Sequence, residues 1–126
     1  MNNPKTECLL KRVEKQEIAA NNFGFAWQTV DQLVEQIHSE CIEVQEAWEK
    51  KDIPHIQEEV GDLMHATICL AVFCGLDPHE TLSKSLEKFQ KRFDSVVALA
   101  KKDGHESLHD QPFDVLMAYW NKAKKI

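Results

Sequence analysis

Glycine and proline are scarce in this chain, with four of each among 126 residues. That scarcity excludes collagen-like, proline-rich and turn-dominated architectures. The four cysteines, Cys8, Cys41, Cys69 and Cys74, form no CxxC pair, and three of them fall inside apolar helical stretches. They read as buried free thiols in a reducing compartment. Basic residues are outnumbered, 15 against 21 acidic, for a net charge of −6. A nucleic-acid or anionic-membrane partner would select for a basic face, so neither is expected. The longest apolar stretch, Leu63 to Leu76, is interrupted by His65 and Thr67 and is too short to span a bilayer. The opening MNNPKTEC has no apolar run behind basic residues. The expected location is the cytoplasm.

Helix formers such as Glu, Lys, Gln, Leu and Ala dominate instead, and 43% of residues are hydrophobic. Length and composition predict one all-α domain over residues 1–126 with a modest core. Apolar periodicity predicts five helices. The first runs from about Lys5 to Ala20 and ends in a turn at Asn21-Asn22-Phe23-Gly24. The second, from about Trp27 to Glu49, carries a stripe of Val30, Leu33, Val34, Ile37, Cys41, Val44 and Trp48. Asp52 and Pro54 cap the third, which runs to about Cys74 with a stripe of Ile56, Val60, Leu63, Thr67, Leu70 and Cys74. Asp77 to Glu80 has capping-box form and opens the fourth, while Pro112 opens a short fifth. Three strongly apolar helices in so short a chain leave stripes that need partners. The bundle is expected to be completed by self-assembly, as a homodimer or tetramer.

The chain has eight acid-x-x-acid pairs, so no single pair is informative. Most of them, such as Glu43/Glu46 and Glu46/Glu49, read as a solvated helix face. Glu40/Glu43 and Glu59/Asp62 differ by register. If the second and third helices pack stripe to stripe, the two pairs lie on flanks of the same sense and emerge on one side. The position numbers of Glu40 and Asp62 have the same sum as those of Glu43 and Glu59, so the pairs are level across a hairpin turning near residue 51. Four carboxylates at one height repel unless cations lie between them. Oxygen ligands, with no Cys or His expected nearby, suit Mg²⁺ or Mn²⁺. Glu58 is an adjacent spare acid, placed to ligate, to act as a base or to face water.

The segments ECIEVQEAW, EEVGDLMHATICLA and DPHETLSKSLEKFQKRF carry the two pairs as ECIE at 40–43 and EVGD at 59–62, fifteen residues apart. This text resembles the MazG-type members of the all-α nucleoside triphosphate pyrophosphohydrolases over about residues 28–97. The resemblance implies that Glu40, Glu43, Glu59 and Asp62 ligate Mg²⁺, with Mn²⁺ able to substitute. It implies hydrolysis of a nucleoside triphosphate, NTP or dNTP, to the monophosphate and pyrophosphate, in nucleotide-pool clean-up. It also implies that Lys88 and Arg92 touch phosphate, with Lys84 one turn before them a weaker candidate. Trp27 is the aromatic chosen for the base pocket. The chain departs from the family pattern at Ser39, where many members have a third glutamate, and at Leu86, where an asparagine is frequent. A related phosphoribosyl-ATP, dUTP or dCTP pyrophosphatase is the nearest alternative. A di-iron bundle using the acid-x-x-His spacings of Glu35/His38 and Asp62/His65 is more remote, as is a non-catalytic helical oligomer.

Overall fold

A computed structural model describes residues 8–126. They form five helices and, among the described residues, no strand: α1 (Leu9–Phe23), α2 (Val30–Glu49), α3 (Ile53–Phe73), α4 (Pro78–Lys102) and α5 (Phe113–Ala123). Two compact units divide the chain, the first ending at Thr81 and the second running from Leu82 to Ile126. No single helix is long and apolar enough to cross a membrane.

In the first unit α2 and α3 make a helical hairpin and α1 packs against α3. The helix boundaries follow local chemistry. The start expected for the first helix, Lys5 to Glu7, lies outside the described residues. Its expected end is corrected: Asn21, Asn22 and Phe23 are still helical, and the stop is Gly24, at φ 99°. A residue with a Cβ would be strained there, and the αL turn lets the Gly24 and Phe25 amides bond back to Asn21 and Ala20. The start of α2 is also corrected. Thr29 accepts from the Gln32 amide and Gln32 Oε1 accepts from the Thr29 amide, a capping box that leaves Trp27 outside the helix in the preceding segment. At the hairpin turn Lys51 adopts φ 54°, and Asp52 caps α3 by accepting from the His55 amide.

The largest correction concerns which faces are buried. Of the α2 stripe, Leu33 is fully buried and Val34, Ile37 and Val44 are half-buried, whereas Val30, Cys41 and Trp48 are exposed, Trp48 by 69%. Val60, Thr67 and Cys74 of the α3 stripe are exposed as well. The hairpin buries Leu33, Glu40 and Ala47 from α2 and Glu59, Ala66 and Cys69 from α3. Ala47 and Ala66 are thus buried along with the acids Glu40 and Glu59. The cysteine reading changes with it: Cys69 is buried, whereas Cys8, Cys41 and Cys74 are exposed.

In the second unit the core lies between the end of α4 and α5. Val96 and Ala100 of α4 pack with Tyr119 and Ala123 of α5, flanked by Leu99, Leu108, Val115 and Trp120. The Tyr119 hydroxyl donates to Asp103 Oδ2 at 2.7 Å, which satisfies a buried polar group and raises the phenol's pKa. Earlier on α4, the apolar residues Leu82, Leu86, Phe89 and Phe93 remain exposed.

Candidate metal centre

The α2–α3 hairpin brings the acidic pairs together at its interior. Ligand oxygens of Glu40, Glu43 and Glu59 lie within 4.8 Å of one another, and so do those of Glu58, Glu59 and Asp62. Glu59 belongs to both groups and links them. Glu40 is 7% exposed and Glu59 8%, so two carboxylates that prefer water are held away from it. Glu43 is half-buried, while Glu58 and Asp62 are exposed.

Crowding and burial both resist ionisation. The carboxyl of Glu59 is raised from 4.5 to about 7, first by the close approach of the Glu43 carboxyl, then by burial, then by the charges of Glu43 and Glu40. Burial, followed by the charge of Glu43, raises Glu40, and Asp62 adds further repulsion. One oxygen of each buried acid has a partner: Gln36 Nε2 donates to Glu40 Oε1 at 2.7 Å, and His55 Nε2 sits 3.2 Å from Glu59 Oε1. The other two oxygens, Glu40 Oε2 and Glu59 Oε2, are buried with no hydrogen-bond partner. An unpartnered buried carboxylate oxygen is costly, and a divalent cation satisfies both it and the local excess of negative charge. The donor set at these positions is carboxylate oxygen, which fits a hard cation of the Mg²⁺ type.

The expectation that no histidine stands nearby is corrected by His55. It reaches Glu59 because the two are four residues apart on α3, one helical turn. Gln36 reaches Glu40 by the same spacing on α2. Both were legible as neighbours of the acids, and neither has the charge or motif that draws notice. By contrast, the di-iron pairing finds no support in the geometry. Among the described residues Glu35 and His38 join no cluster of ligand side chains, and Asp62 and His65 fall into different ones.

A cavity of about 410 Å³ opens beside the acids, lined by Trp27, Phe25, Leu33 and Gln36 together with Glu40 and Asp62. Trp27 thus shares a cavity with two of the four predicted ligands. Its position in the segment ahead of α2, rather than in the helix, is what brings it there. Ser39 borders a shallower depression with Trp27, Glu35 and Gln36. The predicted phosphate-binding residues belong to the second unit. Lys84 and Lys88 are exposed on α4, and the Arg92 guanidinium lies 5.8 Å from the Trp120 ring centroid, a cation–π contact.

Residues 28–97 match the MazG nucleotide pyrophosphohydrolase domain. The chain is 37% identical over 105 residues to the nucleoside triphosphate pyrophosphohydrolase/pyrophosphatase MazG of Thermotoga maritima, covering 83% of this chain and 40% of that protein. It is 31% identical over 124 residues to the nucleoside triphosphate pyrophosphohydrolase of Escherichia coli, covering 97% of this chain and 47% of that one. An uncharacterized Bacillus subtilis protein, YabN, is 32% identical over 77 residues, 59% of this chain and 16% of that protein. The chain therefore spans less than half the length of each of these relatives.

Proposed function

This chain belongs to the MazG nucleotide pyrophosphohydrolase family, and from that premise we propose that it hydrolyses a nucleoside triphosphate, NTP or dNTP, to the monophosphate and pyrophosphate in a Mg²⁺-dependent reaction. One observation carries the reading. Glu40 and Glu59 each bury a carboxylate oxygen with no partner, at a point where four acids converge. In a fold without a cation to bind, that arrangement only destabilises.

Glu40, Glu43, Glu59 and Asp62 would hold the metal, with Gln36 and His55 fixing the orientation of the two buried carboxylates. Bound there, Mg²⁺, or Mn²⁺ in its place, would neutralise phosphate charge and lower the pKa of the attacking water. Glu58 is exposed beside Glu59 and Asp62 and is the carboxylate we assign to take the proton from that water. The water oxygen then bonds to the α-phosphorus, the bond from it to the bridging oxygen breaks, and pyrophosphate leaves. Trp27 would stack on the base in the cavity next to the acids. Lys88 and Arg92, with Lys84, remain assigned to the β- and γ-phosphates; a guanidinium offers the bidentate grip that an ammonium does not.

Exposed apolar residues on the hairpin, among them Val30, Trp48, Val60 and Met64, support assembly into a homodimer or tetramer. The role that suits such an enzyme is clean-up of the nucleotide pool.

The test is product analysis across the common NTPs and dNTPs with Mg²⁺. Pyrophosphate and a monophosphate are expected, whereas inorganic phosphate with a diphosphate would place cleavage at the wrong bond. Selective turnover of phosphoribosyl-ATP, dUTP or dCTP would move the substrate to a related pyrophosphatase. Failure of the folded protein to turn over any nucleotide would leave a non-catalytic helical assembly.

A further inference from the structure

Glu17, His65 and Cys69 form the one cluster of ligand-bearing side chains, among the described residues, that the hydrolytic reading leaves unused. Their ligand atoms all lie within 4.8 Å of one another. His65 and Cys69 are one turn apart on α3 and project from the same face. Cys69 Sγ lies 3.7 Å from His65 Nδ1 and 3.9 Å from Nε2. Glu17 arrives from α1, bringing a carboxylate oxygen within 4.8 Å of both the thiol and the imidazole. All three side chains line the cavity that also contains Trp27 and Asp62. Cys69 is 3% exposed, unlike the other three cysteines.

The chemistry of this trio differs from that of the acidic centre. Thiolate and imidazole suit a borderline cation such as Zn²⁺, and Mg²⁺ avoids both. In a tetrahedral zinc site with Zn–S about 2.3 Å and Zn–N about 2.0–2.1 Å, sulfur and nitrogen stand about 3.6 Å apart. The observed 3.7 Å to Nδ1 matches that separation, while the 3.9 Å to Nε2 shows the sulfur beside both nitrogens, so the exposed His65 ring must turn to aim one lone pair at a shared ion.

We propose that Glu17, His65 and Cys69 are a second metal site, for Zn²⁺ or a similar borderline divalent cation, which ties α1 to α3 and leaves a fourth coordination position for water or an entering group. Binding replaces the S–H bond of Cys69 with an S–Zn bond and releases the proton to solvent, with no change of oxidation state. Burial and Glu17 push the unmetallated thiol up to about 12, so without metal it stays protonated and unreactive. The link matters to α1 in particular, because that helix buries no residue of its own. Occupancy would also obstruct the cavity and make Zn²⁺ an inhibitor; this consequence rests on the hydrolase reading, whereas the site itself does not.

Co²⁺ is the probe, added to the full chain in excess Mg²⁺ so that the acidic centre is filled. A thiolate-to-Co²⁺ charge-transfer band should saturate at one equivalent per chain, vanish on Zn²⁺ addition and be missing in Cys69→Ser. His65 is exposed, so His65→Ala should keep the fold by circular dichroism. It should weaken Co²⁺ binding by roughly tenfold or more, since even removal of a partner behind a metal ligand costs about 10–100-fold. Glu17→Gln should weaken binding in the same direction, and Zn²⁺ should raise the Tm of the wild type but not of His65→Ala. No band overturns the proposal. So does a band that persists in Cys69→Ser, which would come from Cys8, Cys41 or Cys74, or one indifferent to His65→Ala. A band in a protein that hydrolyses no nucleotide would remove the hydrolase reading and leave this site standing; turnover without a band would do the reverse.

Discussion

The interior of the α2–α3 hairpin and the α4–α5 contact bury different chemistry under the same helical geometry. Where α4 meets α5, Val96, Ala100 and Ala123 are covered, and the polar atom of Tyr119 has its partner in Asp103. In the hairpin, Glu40 and Glu59 are covered and each retains an oxygen without one. The first contact follows the rule that buried polar groups are satisfied, and the second breaks it twice within one cluster. Such violations are expected at sites shaped for function at the expense of stability. On the proposed reading the α4–α5 interior serves stability alone, while the hairpin interior serves stability through Leu33 and chemistry through Glu40 and Glu59.

The sharpest way to break this contrast is Glu59→Gln. It should lower pyrophosphate release by roughly 100-fold or more, because a ligand counts for more than the partner groups whose loss costs about 10–100-fold. In metal-free protein the same variant should raise Tm, since a neutral amide relieves the repulsion from Glu43 and Glu40. A variant that is both inactive and less stable without metal would show that Glu59 is structural. Leu33→Ala comes next. Leu33 is fully buried in the hairpin and should lose about 2–5 kcal/mol in denaturant unfolding. A loss well below that would mean the hairpin interior holds little of the stability of its own unit.

The pH dependence sharpens the contrast. Glu59 has a folded-state pKa of about 7, above its ordinary 4.5. The folded chain therefore keeps a proton that the unfolded chain gives up. That stabilisation is complete below about pH 4.5 and is lost as pH rises through about 7. Tm in the presence of a chelator should fall over this window, and Mg²⁺ should restore it at the alkaline end. Glu59→Gln should flatten much of the slope, leaving the part due to Glu40. A Tm independent of pH in wild-type protein would contradict the crowding. The smallest effect is expected from Tyr119→Phe, about 1 kcal/mol lost in denaturant unfolding with nucleotide turnover unchanged. This would be the opposite sign from Glu59→Gln at the other interior.

Much of this was legible beforehand. The five helices and the cap at Asp52 follow from local pattern, and register brings Glu40 and Glu43 of α2 to Glu59 of α3. The buried face was legible only in part. Leu33 of the α2 stripe is buried while Val30, Cys41 and Trp48 of the same stripe are exposed, and periodicity does not say which part of a stripe is covered within the chain. Ala47 and Ala66 are buried as well, and small residues add little to an apolar pattern. Trp27 lies ahead of α2 and not in it because the Thr29–Gln32 capping box starts the helix only at Val30. Glu17, His65 and Cys69 were invisible as a group because one member comes from another helix, and only the packing of α1 on α3 joins them.

The central claim is that the buried acids exist to hold metal for nucleotide cleavage. The direct measurement is pyrophosphate release as a function of Mg²⁺ for the wild type and Asp62→Asn, above about pH 7 where Glu59 is ionised. The account predicts saturable release that disappears with chelator and is nearly lost in Asp62→Asn at every Mg²⁺ concentration. Equal release with chelator, or an Asp62→Asn protein as active as the wild type, would contradict it.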